Sequence, residues 1–192
     1  MRSTRFAPRA LALALPLLSL AACAGTGVVV NDSRQSGYDP SLIADAASRG
    51  GMALEIKGQP FPGAETRFAE VAAEALSESH PGPEFTVFAT PADAPEGPVR
   101  TVIVANPDAT VTPANACTAN VSGSAVEAGD TLAVTAALCR GDKAVTRMTG
   151  RAIDVNGPDD PKVDQLFRQI GQQLYPRQNE SKRDDRGDDA WP

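Results

Sequence analysis

Apolar positions along this chain recur at two spacings, every second residue in some stretches and every third or fourth in others. Met52, Leu54 and Ile56 alternate with Ala53, Glu55 and Lys57, which predicts a half-buried strand. Glu84–Ala89 predicts a second strand, and Val99–Ala105 (VRTVIVA) a third. The third carries β-branched residues on both sides, so it is expected in the middle of a sheet. A strand is expected around Cys117–Val121. Asp130–Cys139 and Ala144–Ile153 are two extended stretches about Arg140-Gly141-Asp142-Lys143, which is a hairpin signal.

Helical spacing appears three times. Asp39-Pro40 opens the first helix, with Asp39 as cap and Pro40 at the first helical position. Leu42, Ile43, Ala46 and Ala47 form its apolar face, and Gly50-Gly51 ends it. Ala64–Ser77 sets Phe68, Val71, Ala72, Ala75 and Leu76 on one face, before His80-Pro81-Gly82-Pro83 breaks it. After Asp159-Asp160-Pro161, Val163, Leu166, Phe167, Ile170 and Leu174 make the clearest amphipathic helix, ended by Tyr175-Pro176.

This order predicts an α+β fold: one domain over residues 38–176, with a mostly antiparallel sheet of five to six strands and two to three helices packed on one face. Residues 23–37 are small and polar and are expected to be a tether, with a short edge strand at Val28-Val29-Val30 as the alternative. Residues 177–192 crowd charges of both signs with almost no apolar residues and are expected to be disordered.

The N-terminal stretch changes the picture. Arg2, Arg5 and Arg9 precede an apolar run over Ala10–Leu20 that is too short to span a bilayer as a helix. The run closes on Leu20-Ala21-Ala22-Cys23, which resembles the lipobox of bacterial lipoprotein precursors. The resemblance implies export, removal of a signal peptide over residues 1–22, and acylation of Cys23 with a diacylglyceryl thioether and an amide-linked chain such as palmitate. Ala24, rather than Asp, follows the cysteine, which by the lipoprotein sorting rule implies the outer membrane, facing the periplasm.

Cleavage leaves 170 of the 192 residues, and loss of the three leader arginines takes the net charge from −6 to −9. An acidic chain argues against nucleic-acid partners and against docking on anionic lipid heads by net charge. If Cys23 is lipidated, Cys117 and Cys139 remain in an oxidising compartment, where a disulfide is the expectation; two free thiols or a metal pair are the alternatives.

Beyond the leader, Gln59-Pro60-Phe61, Asn106-Pro107, Leu138-Cys139-Arg140-Gly141-Asp142 and Asp159-Asp160-Pro161, with the helix ending in Tyr175-Pro176, resemble a family of uncharacterised bacterial envelope lipoproteins over residues 50–176. That resemblance implies no activity and no site.

Candidate chemistry is sparse. His80 has no serine or cysteine partner in a recognised spacing, so no nucleophilic dyad is expected. Asp154, Asp159, Asp160 and Asp164 lack the alternation of a calcium loop, and helix capping explains the Asp pair. Glu65, Glu70, Glu74 and Glu78 have the spacing of a solvated helix face. Arg140-Gly141-Asp142 has the letters of an adhesive tripeptide, but a hairpin turn accounts for each residue. No catalytic residue, cofactor or metal ligand is therefore assigned. The expected function is a non-catalytic binding or structural module for an envelope protein or polymer, docking through the sheet or the loops at Gln59–Gly63 and Thr90–Pro98. The alternative is an envelope hydrolase with an unrecognised carboxylate site.

Overall fold

The architecture follows from a computed structural model, which describes residues 27–31 and 37–177. The leader, Cys23 and the charged tail beyond Arg177 lie outside the described residues.

In chain order the elements are β1 (Val28–Asn31), α1 (Ser41–Ser48), β2 (Gly51–Lys57), β3 (Gln59–Pro60), α2 (Glu65–Ser79), β4 (Thr86–Phe88), β5 (Val99–Ala105), β6 (Ala125–Val126), β7 (Asp130–Arg140), β8 (Lys143–Val155) and α3 (Pro161–Leu174), with one 3₁₀ turn at Pro91–Asp93. Six strands form one sheet in the order β1-β8-β7-β5-β2-β4, while β3 and β6 make a separate two-residue ladder. The domain is α+β, as expected.

The sheet is mixed rather than mostly antiparallel. β1, β8, β7 and β5 alternate in direction, but β2 runs parallel to both β5 and β4. The cause is α2, which lies between β2 and β4. A helix returns the chain to its starting edge, so the next strand enters in the same direction. β5 sits between β7 and β2, in the sheet interior as its two-sided apolar pattern requires.

β7 and β8 form the expected hairpin. Arg140 faces Lys143 across a two-residue turn in which Gly141 takes φ 58°, a conformation glycine adopts without a Cβ penalty. Val28–Asn31 takes the edge-strand alternative, pairing antiparallel with β8.

The helices pack on one face. Asp39 Oδ1 accepts from the Ser41 amide at 2.9 Å at the start of α1, and Asp160 Oδ1 accepts from the Lys162 amide at 2.9 Å at the start of α3. The apolar sides of the three helices meet Met52, Leu54, Ile103, Val134, Leu138 and Met148 of the sheet in one buried cluster. Phe68 stands between Phe61 and Phe167, with ring centroids 5.9 and 5.5 Å away.

The opposite face carries a second, smaller cluster, where Val102, Val104, Ala137 and Cys139 meet Ala116 and Cys117. Residues 106–124 lie over it. The strand expected around Cys117–Val121 is absent; turns occupy that stretch. This covering segment is held from beneath. Lys57 Nζ donates to the Thr118 carbonyl at 2.6 Å, and Arg100 donates to the Cys117 carbonyl at 3.0 Å and to Glu55 at 2.9 Å. Gly123 passes so close that a Cβ there would lie 1.8 Å from the Ala105 carbonyl oxygen, so only glycine fits.

Candidate functional site

The expected cysteine pair is bonded: Cys117 and Cys139 form a disulfide with Cα atoms 5.6 Å apart and both residues fully buried. With the expected strand around Cys117–Val121 the bond would join two strands, but turns occupy that stretch. The disulfide ties the covering segment to β7 on the face away from the helices, rather than joining one strand to another.

The concave surface lies where α2 and α3 end. The His80–Pro83 break that stops α2 folds back beside Tyr175-Pro176, which stops α3. A groove of about 310 Å³ runs between them, with Tyr38, Pro40 and Ile43 forming its other wall. A second, more polar cavity of about 620 Å³ shares Pro81, Gly82 and Arg177 with it and extends to Glu78, His80 and Glu84.

Hydrogen bonds fix the frame of this groove. Thr146 Oγ1 donates to the Leu174 carbonyl at 2.7 Å, the Tyr175 hydroxyl lies 2.7 Å from Thr101 Oγ1, and the Tyr38 hydroxyl donates to the Pro176 carbonyl at 2.6 Å. Arg177 Nε donates to the Pro81 carbonyl, tying the ends of the two helices together. Burial raises the pKa of both phenols, that of Tyr38 to about 12, with the neighbouring Asp39 charge as a second cause.

His80 stacks on Phe85 at 4.1 Å and meets Tyr175 edge-on at 6.2 Å. Neither ring nitrogen makes a well-aligned hydrogen bond within the described residues. Burial lowers the imidazole pKa; the Phe85 backbone and the Glu84 carboxylate oppose that without overcoming it. The sequence signal for this arrangement was the Ser-His-Pro-Gly-Pro break, which reads as a turn and does not disclose a stacked ring.

The acidic candidates do not converge. Asp159 binds Arg67 at 2.7 Å, Asp160 caps α3, Asp164 binds Arg168 at 2.8 Å, and Asp154 lies 3.9 Å from Lys162. Among the described residues no group of three or more His, Cys, Asp or Glu has the geometry to hold a metal. The single Gly63 N–H is shared between the two Glu65 carboxylate oxygens, 3.0 Å from each, and with Glu65's own amide it holds the carboxyl below the ordinary range. Glu70 pairs with Arg67 at 3.2 Å and Glu78 with Arg168 at 2.7 Å, while Glu74 is exposed. The buried polar residues among those described are threonines, and no described carboxylate is buried. The Arg140-Gly141-Asp142 tripeptide is the exposed tip of the hairpin.

The two loops expected to dock a partner differ. Thr90–Pro98 is largely exposed. Gln59–Gly63 is half structural: Phe61 is 6% exposed and joins the main core, leaving a cavity of about 370 Å³ between Pro62, Val126 and Pro158.

No protein-family model matches the chain, and no curated protein is similar to it in sequence. Among solved structures, two PelC dodecamers from Paraburkholderia phytofirmans show a partial likeness. A substituted form has 12% identity and a TM-score of 0.42, and another has 13% and 0.40; each match covers 79% of this chain and 99% of the other. Likeness that loose transfers no property to this chain.

Proposed function

We propose that this protein is a lipid-anchored periplasmic protein of the outer membrane, acting as a non-catalytic binding or structural module for an envelope protein or polymer. The Leu20-Ala21-Ala22-Cys23 motif supplies the anchor, with acylation at Cys23. The observation that best supports this reading is the buried Cys117–Cys139 disulfide, a bond that persists in oxidising compartments such as the periplasm and is rare in the cytosol. The groove beside His80–Pro83 is the docking candidate, because the hydrogen bonds at Tyr38, Tyr175 and Arg177 hold its walls before any partner arrives.

The test is expression in a Gram-negative host, followed by membrane fractionation and intact mass measurement. Wild-type protein is expected in the outer-membrane fraction with a mass that shows cleavage before Cys23 and added acyl chains. Cys23→Ala is expected to leave an unlipidated precursor. An unmodified Cys23 in the mature wild-type protein overturns the anchor. Pull-down from solubilised membranes tests the module, and recovery of no specific protein or polymer overturns that part.

A further inference from the structure

The outer face of the sheet is only partly covered. Residues 106–124 lie over β5 and the adjoining part of β7, in a cluster that reaches Ala144 at the start of β8, while β1 and the rest of β8 lie beyond β7 on the other side. On that open side, Val29 of β1 and Ile153 of β8 are the large hydrophobic residues left exposed among those described, at 43% and 48%. They share one face. Val28 and Val30 pack toward the helices, so Val29 points away from them, and it pairs across the ladder with Arg151. Ile153 is two residues beyond Arg151, and Arg147 is four before it, so alternation along β8 puts all three on the same outer side.

The two arginines, like Arg140 and Lys143 at the hairpin tip and Arg177 beside the groove, are not among the cations of the domain that pair with a carboxylate among the described residues. Arg49, Lys57, Arg67, Arg100, Lys162 and Arg168 are each tied to a carboxylate. Arg147 and Arg151 have no such partner among the described residues. The residues opposite them on β7, Ala137 and Ala133, are small. Asp154, beside Ile153, has Lys162 as its partner. The chain is acidic overall, yet this strip is apolar and cationic.

Its position in the chain indicates what meets it. Cys23 is five residues before Val28, and a chain extends at most about 3.5 Å per residue, so the two lie within roughly 18 Å. A lipid on Cys23 therefore keeps β1, and the face β1 borders, within reach of the bilayer surface. Apolar side chains flanked by arginines suit that boundary: the hydrocarbon enters the headgroup layer while guanidinium groups remain with the phosphates.

We propose that Val29, Arg147, Arg151 and Ile153 dock on the anionic phospholipid surface that carries the anchor. This rests on the lipid-anchor reading above. The net negative charge argues against such docking only if charge is spread evenly, and here it is not. The helix layer and the groove at His80–Pro83 then face the aqueous space.

The test uses the full-length acylated protein in vesicles of phosphatidylethanolamine and phosphatidylglycerol, with Trp191→Phe as background. The tryptophan introduced by Ile153→Trp is expected to shift its emission to the blue and to lose intensity with brominated acyl chains. The tryptophan introduced by Gln172→Trp, on the exposed side of α3, is expected to do neither. Arg147→Glu with Arg151→Glu is expected to abolish the Ile153→Trp quenching, as are vesicles of phosphatidylcholine alone. Acylated protein without quenching overturns the docking and leaves the anchor standing. Protein with no acyl mass on Cys23 overturns the anchor and the docking with it. A self-associated species in detergent that the Arg147→Glu, Arg151→Glu pair dissolves, with no quenching in vesicles, overturns the proposal in favour of a second copy on this face.

Discussion

The Tyr175 hydroxyl sits 2.7 Å from the Thr101 hydroxyl, joining the residue that ends α3 to the middle of the central strand β5. Both side chains are buried, so neither hydroxyl can turn to water when the other is removed. Thr101 is left with a 3.4 Å contact to the Met52 sulfur, a weak acceptor. Tyr175→Phe keeps the ring against Phe85 and His80 but strands the Thr101 hydroxyl. The expected loss is about 1–2 kcal/mol. Urea unfolding checks it: the midpoint should fall with the slope unchanged, because the folded surface stays the same.

The disulfide acts on the other side of the sheet. It joins residues 22 apart in sequence, and the chain-entropy account gives such a bond about 3 kcal/mol. Lys57 and Arg100 also hold the covering segment, so reduction should loosen 106–124 before it unfolds the helix face. Cys117→Ser is expected to lower the melting temperature under oxidising conditions, to leave Cys139 free, and to open the covering segment to protease first. Equal melting temperatures with and without reductant, in the wild-type protein, would count against a stabilising bridge.

The helices and the hairpin were readable from sequence because their signals are local. The spacing of Val163, Leu166, Phe167, Ile170 and Leu174 predicts α3, and Asp160-Pro161 its start, where Asp160 caps the helix. Strand direction is not local. Nothing in Met52–Lys57 or Val99–Ala105 states which neighbour each will pair with, and the parallel pairing of β2 depends on where α2 returns the chain. The covering segment has no local signal for a related reason. Residues 106–124 have no periodicity, since turns pinned by Cys117, Lys57 and Gly123 satisfy them instead of a ladder. Asp159, Asp160 and Asp164 stand close in sequence, yet each has its own partner. The groove joins Tyr38, Pro81 and Pro176, residues far apart in sequence, so no motif announces it.

His80 contributes to the loss of stability on the acid side. Its pKa is lower in the folded chain than the ordinary 6.5, chiefly because burial between Phe85 and Tyr175 disfavours the charged ring. The folded protein therefore binds fewer protons than the unfolded chain in the window just below 6.5. Stability from this group is complete above that value and is lost as pH falls through it toward the folded pKa. Glu78, Glu84 and Arg177 line the same cavity, and Glu78 is already engaged by Arg168. His80→Phe keeps an aromatic ring on Phe85 and removes the titration. Urea unfolding at about pH 7.5 and about pH 5 should then show a larger stability loss in wild-type protein than in the variant. The carboxylates are common to both proteins, so the difference reports the imidazole together with its interaction with Glu84. Equal losses would mean that His80 gains its proton without disturbing the stack.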